Sequence, residues 1–407
     1  MPDEISNLIR TGLVEQFVRH VCQTSKSPLG VAVDRAQGST IHDVNGREYL
    51  DLLAGMGVAN VGHSHPLVVS AIRAQIERHL HVSVYGEMVQ QPQVALAARL
   101  ADLAPGDLSV VYFANSGAEA IEGALKTARK VTDRSVLIAF EGSFHGDTLG
   151  ALSVSGNPAY RWPFEPLLPD VHFLPFNDPA SLVAINDSVA AVIVEPVQAE
   201  GGVRIPSPLF VSQLRQRCTE TGALLIADEV LTGFGRTGRL FACEHWDLVP
   251  DLLVLAKALG GGMPLGAFIG RAEVMETLSR DPPLSHITTF GGHPVSCAAG
   301  LAALDVLLKG NLPERAAQVG GQWAAQLRDL VGGALHAVRA IGLLIALELS
   351  DADRTRRFAA RCFEEGLILN WTLHRDTVIR LVPPLTIEAH QLARATAIIQ
   401  RVLRELA

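Results

Sequence analysis

Five short runs in the middle of the chain, residues 109–114, 135–140, 190–195, 223–228 and 252–256, are largely apolar rather than alternating. A strand with one wet face alternates, whereas a strand buried on both faces does not. Such runs therefore belong to a mainly parallel sheet with helices on both sides. Stretches with helical pattern, 118–130 and 209–221, lie between them. Strand and helix in alternation define an α/β core.

The two ends read differently. Residues 40–53 form a hairpin pattern around Asn45-Gly46, a pair that tolerates the positive φ of a tight turn. Helical segments 297–308, 314–330 and 390–406 surround short strands near the other end. These predict a small α+β domain drawn from both termini, residues 1–55 and 296–407, beside a large domain at 56–295. A length of 407 residues suits more than one domain.

Charge and cysteine usage narrow the function. The net charge of −8, with Lys and Arg scattered, argues against a nucleic-acid partner. No apolar run approaches the ~20 residues of a membrane span. The start, Met1-Pro2-Asp3-Glu4, lacks a basic segment followed by an apolar one, so no signal peptide is expected. Five well-separated cysteines without a CxxC spacing predict neither a disulfide framework nor a zinc site, and favour a reducing cytoplasm.

The chemistry concentrates at two strand ends. One apolar run stops at Asp228-Glu229, and another stops at Lys257, before Gly260-Gly261-Gly262. Ligands of open α/β sheets bind outside the carboxyl ends of the strands, so a carboxylate and an amine are delivered to one crevice. A lysine desolvated there has the lowered pKa that Schiff-base chemistry needs. A carboxylate facing a pyridine nitrogen would keep it protonated and make the ring an electron sink. A third run, Phe113-Ala114-Asn115-Ser116-Gly117-Ala118-Glu119, reads as strand, small-residue turn and helix start, a natural phosphate cradle. Read singly, each of these is also compatible with an ordinary strand end or helix cap.

Two other motifs are set aside. Gly233-Phe234-Gly235-Arg236-Thr237-Gly238 matches GxGxxG, but residues 239–250 do not read as the long helix of a dinucleotide site, so the glycines are taken as a structural loop. His63 and His65 lack a carboxylate or cysteine at ligand spacing and are read as turn residues, with no metal.

Taken together and in order, these segments resemble the class III (ornithine/ω-) aminotransferases of pyridoxal-phosphate (PLP) fold type I, over most of the chain. The resemblance implies a large domain with a seven-stranded, mainly parallel sheet. It implies that Lys257 carries PLP as a Schiff base and shuttles protons, and that Asp228 pairs with the pyridine nitrogen. Val230 and Phe144 would flank the ring, with His145 beside it. Ser116, Gly117 and Ala118 would hold the phosphate. Thr289, in His286-Ile-Thr-Thr289-Phe290-Gly-Gly-His293-Pro294, would reach the phosphate of a neighbouring subunit, which implies an obligate homodimer. Glu200 would pair with the carboxylate-binding Arg380 and let one site serve two substrates. Three positions depart from the family pattern: Asp147 replaces a common Arg or Lys, Leu231 a common glutamine, and His293 the usual asparagine.

The activity so implied is ping-pong transfer of an amino group from a diamine or ω-amino acid, of the putrescine, ornithine or acetylornithine kind, to 2-oxoglutarate or pyruvate. An amino-acid racemase, an aminomutase, a secondary-metabolite aminotransferase and a catalytically silent binding module remain alternatives at this level.

Overall fold

The computed structural model describes residues 12–26, 28–83 and 87–406. The reading of Met1 to Glu4 lies outside the described residues.

A seven-stranded sheet forms the centre. Its strands, in chain order, are β1 (Val110–Ala114), β2 (Val136–Phe140), β3 (Val171–Leu174), β4 (Val189–Val194), β5 (Leu224–Asp228), β6 (Leu252–Leu255) and β7 (Gly266–Gly270). Across the sheet they run β1-β7-β6-β5-β4-β2-β3. β2 to β6 pair in parallel, and only β7 runs against its neighbours β1 and β6. The five apolar runs all became strands. β3 and β7, which carry a histidine or terminal glycines, had given no comparable sequence signal.

The pleat divides the side chains of β5 and β6 between two cores. Leu225, Ala227, Leu253 and Leu255 join one, with Phe210, Val211, Leu214 and Cys218 of the helix Pro208–Thr221. Leu224, Ile226, Leu252 and Val254 join the other, with Ala120, Ile121, Ala124, Leu125 and Ala128 of the helix Gly117–Thr132. Each fully buried Leu, Ile or Phe contributes about 1.5–3 kcal/mol of transfer free energy, so the burial under either helix is comparable with a domain's net stability of about 5–15 kcal/mol.

Two smaller sheets come from the ends of the chain. Val33–Gln37, Thr40–Asp43 and Glu48–Asp51 are antiparallel, and Leu367–Ile368 joins them in parallel. The hairpin turn is held by Asp43, whose Oδ1 accepts the N–H groups of Asn45 and Arg47. The other sheet is antiparallel, with Leu335–Ile341, Leu344–Leu349, Val378–Leu381 and Asn370–Trp371 side by side.

The motifs set aside have structural work. No long helix follows Gly238; only the short turn Ala242–Trp246 does. The glycine loop plants Arg236 in the interior, donating to the carbonyls of Leu343 and Pro383 and to Asn60 Oδ1 at 2.6–3.0 Å. His65 Nδ1 accepts Leu67 N–H at the start of the helix Pro66–Arg78, and His63 Nε2 lies 2.7 Å from Asp51 Oδ2.

Candidate active site

Asp228 is the last residue of β5, and its Cα is in register with Val254 of β6, three residues before Lys257. Two adjacent strands thus end at one place. Lys257 itself has φ +47°, which breaks the strand and opens the turn Lys257–Gly260. A left-handed lysine is uncommon and is tolerated because its surroundings fix it. Both side chains line one cavity of about 420 Å³, together with Ser116, Gly117, Ala118, Phe144, His145, Val230 and Glu200. Leu231 lines it too.

Asp228 is 5% exposed. Its Oδ2 lies 2.7 Å from His145 Nδ1, and its Oδ1 accepts Val230 N–H at 3.0 Å. The other ring nitrogen of His145 is buried without a protein partner. The Lys257 amine is pushed below the usual lysine range, first by burial and then by Arg380, against the pull of Glu200, Asp228 and Glu195.

The helix Gly117–Thr132 starts at the cavity wall, with Ser116 Oγ accepting Glu119 N–H at 3.1 Å. The first N–H groups of a helix, here those of Gly117 and Ala118, have no intrahelical acceptor and suit an anion. Space is tight at Gly117: a Cβ would lie 3.1 and 3.2 Å from the Val230 methyls. These donors, the buried carboxylate and the desolvated amine meet the needs of a phosphorylated pyridine aldehyde, so the residues present fit PLP.

Arg380 sits on Val378–Leu381, 1% exposed, and its Nη1 is paired with Glu200 Oε1. Its Nε is buried without an acceptor, so the guanidinium retains donor capacity. Glu200 lines the cavity and Arg380 lies behind it. Burial opposes the charge of Glu200, but Arg380 and the Leu373 N–H outweigh it and hold the carboxyl below its usual range.

Thr289 is exposed and is not part of this cavity's lining. Asp147 is exposed as well. Glu195 received no role from the sequence, yet it lines the cavity and accepts the N–H groups of Phe144 and Ala199 at 3.0 Å each. The signal was available: Glu195 directly follows β4, as Lys257 closely follows β6. His374 was also missed; its ring meets Phe144 edge-on at 5.8 Å and lies tilted against Tyr160 at 5.2 Å.

The chain is similar to known proteins over most of its length. The model of the family described as aminotransferase class-III matches residues 21–403. Acetylornithine aminotransferase of Methanopyrus kandleri is 45% identical over 393 residues, 96% of this chain and 98% of that protein. Putrescine aminotransferase of Pectobacterium atrosepticum is 42% identical over 403 residues, 94% of this chain and 84% of that protein. The solved ornithine aminotransferase of Toxoplasma gondii superposes with a TM-score of 0.91 at 33% identity, over 99% of this chain and 97% of that one. A second structure of that enzyme is described with partial occupancy of PLP at its active site. The chain belongs to the class III aminotransferases and is a PLP-dependent aminotransferase.

Proposed function

We propose that the chain transfers an amino group from an aliphatic diamine or ω-amino acid to a 2-oxo acid such as 2-oxoglutarate or pyruvate, as a cytoplasmic homodimer. The observation that carries this reading is the placement of Glu200 between the cavity and Arg380. A site that admits only amino acids would gain by leaving its arginine free. A site that must also admit a cationic amine gains from a carboxylate that cancels it.

PLP, when bound, supplies the electron sink for the carbon that exchanges its amine. Lys257 would hold it through Nζ, and Gly117 and Ala118 would take the phosphate with Ser116, helped by Thr289 of a neighbouring subunit. The Asp228 carboxylate, oriented by His145, would keep a pyridine nitrogen protonated. Phe144, with His145 beside it, and Val230 line the cavity and would flank the ring. Once displaced by substrate, the Lys257 amine moves the proton at the substrate carbon, general acid–base work typically worth about 10²–10⁴-fold. While the amine donor is bound, Glu200 stays on Arg380. When a 2-oxo acid enters, Arg380 takes its carboxylate through a planar two-pronged donor.

The names of the M. kandleri and P. atrosepticum relatives support a donor of this kind. The five free cysteines, four of them buried, support a reducing compartment. The test is a panel of donors read as changes in cofactor absorbance without acceptor, then with each 2-oxo acid. Putrescine, ornithine or acetylornithine should convert the cofactor, and 2-oxoglutarate or pyruvate should restore it. Conversion only by simple 2-amino acids would refute the assignment. Lys257→Ala should lose turnover and the borohydride-reducible link while remaining folded.

A further inference from the structure

The segment carrying Glu200 is an unusual turn. Gln198 and Arg204 close its base with N–H···O bonds in both directions at 2.9 and 3.1 Å. At its tip Gly202 has φ +101° and Val203 has φ +53°, a backbone that a β-branched residue adopts only under constraint. The constraint comes from the small sheet that also carries Arg380.

The register of that sheet puts Arg339 opposite Ala346, Ala346 opposite Arg380, and Glu348 opposite Val378. Opposed residues share a face and alternate residues return to it, so Arg339, Glu348 and Arg380 stand on one face. Arg339 donates from Nε and Nη2 to the Gly202 carbonyl at 3.2 and 2.8 Å, and its Nη1 pairs with Glu348 Oε2. The other oxygen of Glu348 pairs with Arg375 Nη2. Arg375 closely follows the two residues that hold Glu200: Leu373 N–H donates to Glu200 Oε2 at 2.7 Å, and His374 N–H donates to the Glu200 carbonyl at 3.1 Å. Gly202 lies between the two arginines, since a Cβ there would be 3.0 Å from Arg375 Cδ and 3.6 Å from Arg339 Nη2. Both arginines hold the Glu348 carboxyl below its ordinary range although burial opposes this.

We propose that Arg339, Glu348 and Arg375 form a clamp outside the cavity that keeps Glu200 over Arg380, and so set the balance between amine donor and 2-oxo acid. This rests on the Glu200–Arg380 reading above. All three are positioning residues. None of them lines the cavity. One carboxylate joins Arg339, which holds the turn at the Gly202 carbonyl, to Arg375, which follows the Leu373 and His374 N–H groups on Glu200, so removing its charge loosens the turn and the 372–376 loop together. With Glu200 less firmly held, Arg380 is open to a carboxylate more of the time and repels a cationic donor.

The test is half-reaction kinetics of the holoenzyme with putrescine and with 2-oxoglutarate. In Glu348→Gln, the KM for 2-oxoglutarate should fall and that for putrescine should rise. The ratio of the two should shift by about five-fold, with each kcat within about two-fold, in the range of indirect couplings. Arg375→Ala should shift the ratio alike, and Arg375→Lys should restore it. Hydrogen exchange of peptides spanning 196–206 and 370–377 should quicken in Glu348→Gln, with or without cofactor. An unchanged KM ratio in Glu348→Gln, or equal losses in both substrates, overturns the clamp. Arg380→Ala separates the two ideas: if it harms both half-reactions equally the underlying gate reading fails, and if it harms the 2-oxo acid alone the clamp is judged by the Glu348 result.

Discussion

Glu195 and Glu200 line the same cavity five residues apart, yet their surroundings push them in opposite directions. Burial raises the Glu195 carboxyl from 4.5 to about 7, with Asp228 adding to the shift and His145 and the two N–H donors opposing it. Glu200 is pulled down by Arg380. Between pH 4.5 and about 7 folded Glu195 retains a proton that the unfolded chain has released, so its contribution to stability falls as pH rises through that window. The loss is on the order of 3 kcal/mol at most. Glu195→Gln cannot titrate. Its melting temperature minus that of the wild type should therefore climb from pH 4.5 to about 7 and stay level above. A difference that does not vary with pH would contradict the shift. Residue identity made Asp228 and Lys257 legible at strand ends, and the same rule reaches Glu195. It could not distinguish a carboxyl pushed up by burial, as at Glu195, from one pulled down by an arginine, as at Glu200, because that depends on what the fold packs round each.

At the scale of elements, legibility followed the length of the apolar run. β4 and β6 are buried throughout and wholly apolar, and β5 is apolar up to Asp228. β3 is an edge strand with His172 exposed, whereas β7 is as buried as they are but has only Ala267, Phe268 and Ile269 between its terminal glycines, too short a run to stand out. The helices were legible through their pattern rather than their caps, and two of the caps can be compared. Ser116 Oγ accepts Glu119 N–H, and Ser207 Oγ accepts Phe210 N–H at 3.2 Å. Each cap replaced by Ala should cost about 1 kcal/mol in denaturant unfolding. Only Ser116 stands at the cavity. Ser116→Ala should therefore also speed release of the cofactor in dialysis, whereas Ser207→Ala should not. Equal retention in the two variants would remove Ser116 from the phosphate site.

The whole molecule explains what one chain leaves unfinished. Thr289 belongs to a loop tied to its own subunit: Tyr112 donates to the His286 carbonyl at 3.2 Å and Asn115 Nδ2 donates to Thr288 Oγ1 at 2.9 Å. Yet the loop presents Leu284, Ile287 and Phe290 at 71%, 63% and 53% exposure, an apolar surface suited to a subunit contact. In the proposed homodimer, the pattern along one sequence does not say which copy Thr289 would serve, since a partner would enter only through symmetry. In a homodimer with Thr289 acting across the interface, mixing decides the matter. Lys257→Ala and Thr289→Ala each damage both sites of their own dimers. In a hybrid, one site combines intact Lys257 from one subunit with intact Thr289 from the other, while its counterpart carries both lesions. Random exchange of equal amounts should leave about one quarter of all sites intact, half the dimers being hybrids with one good site each. Turnover after subunit exchange, measured against time with the unmixed variants as controls, should rise towards that fraction. If Thr289 served its own subunit, every hybrid site would hold one lesion and mixing would restore nothing.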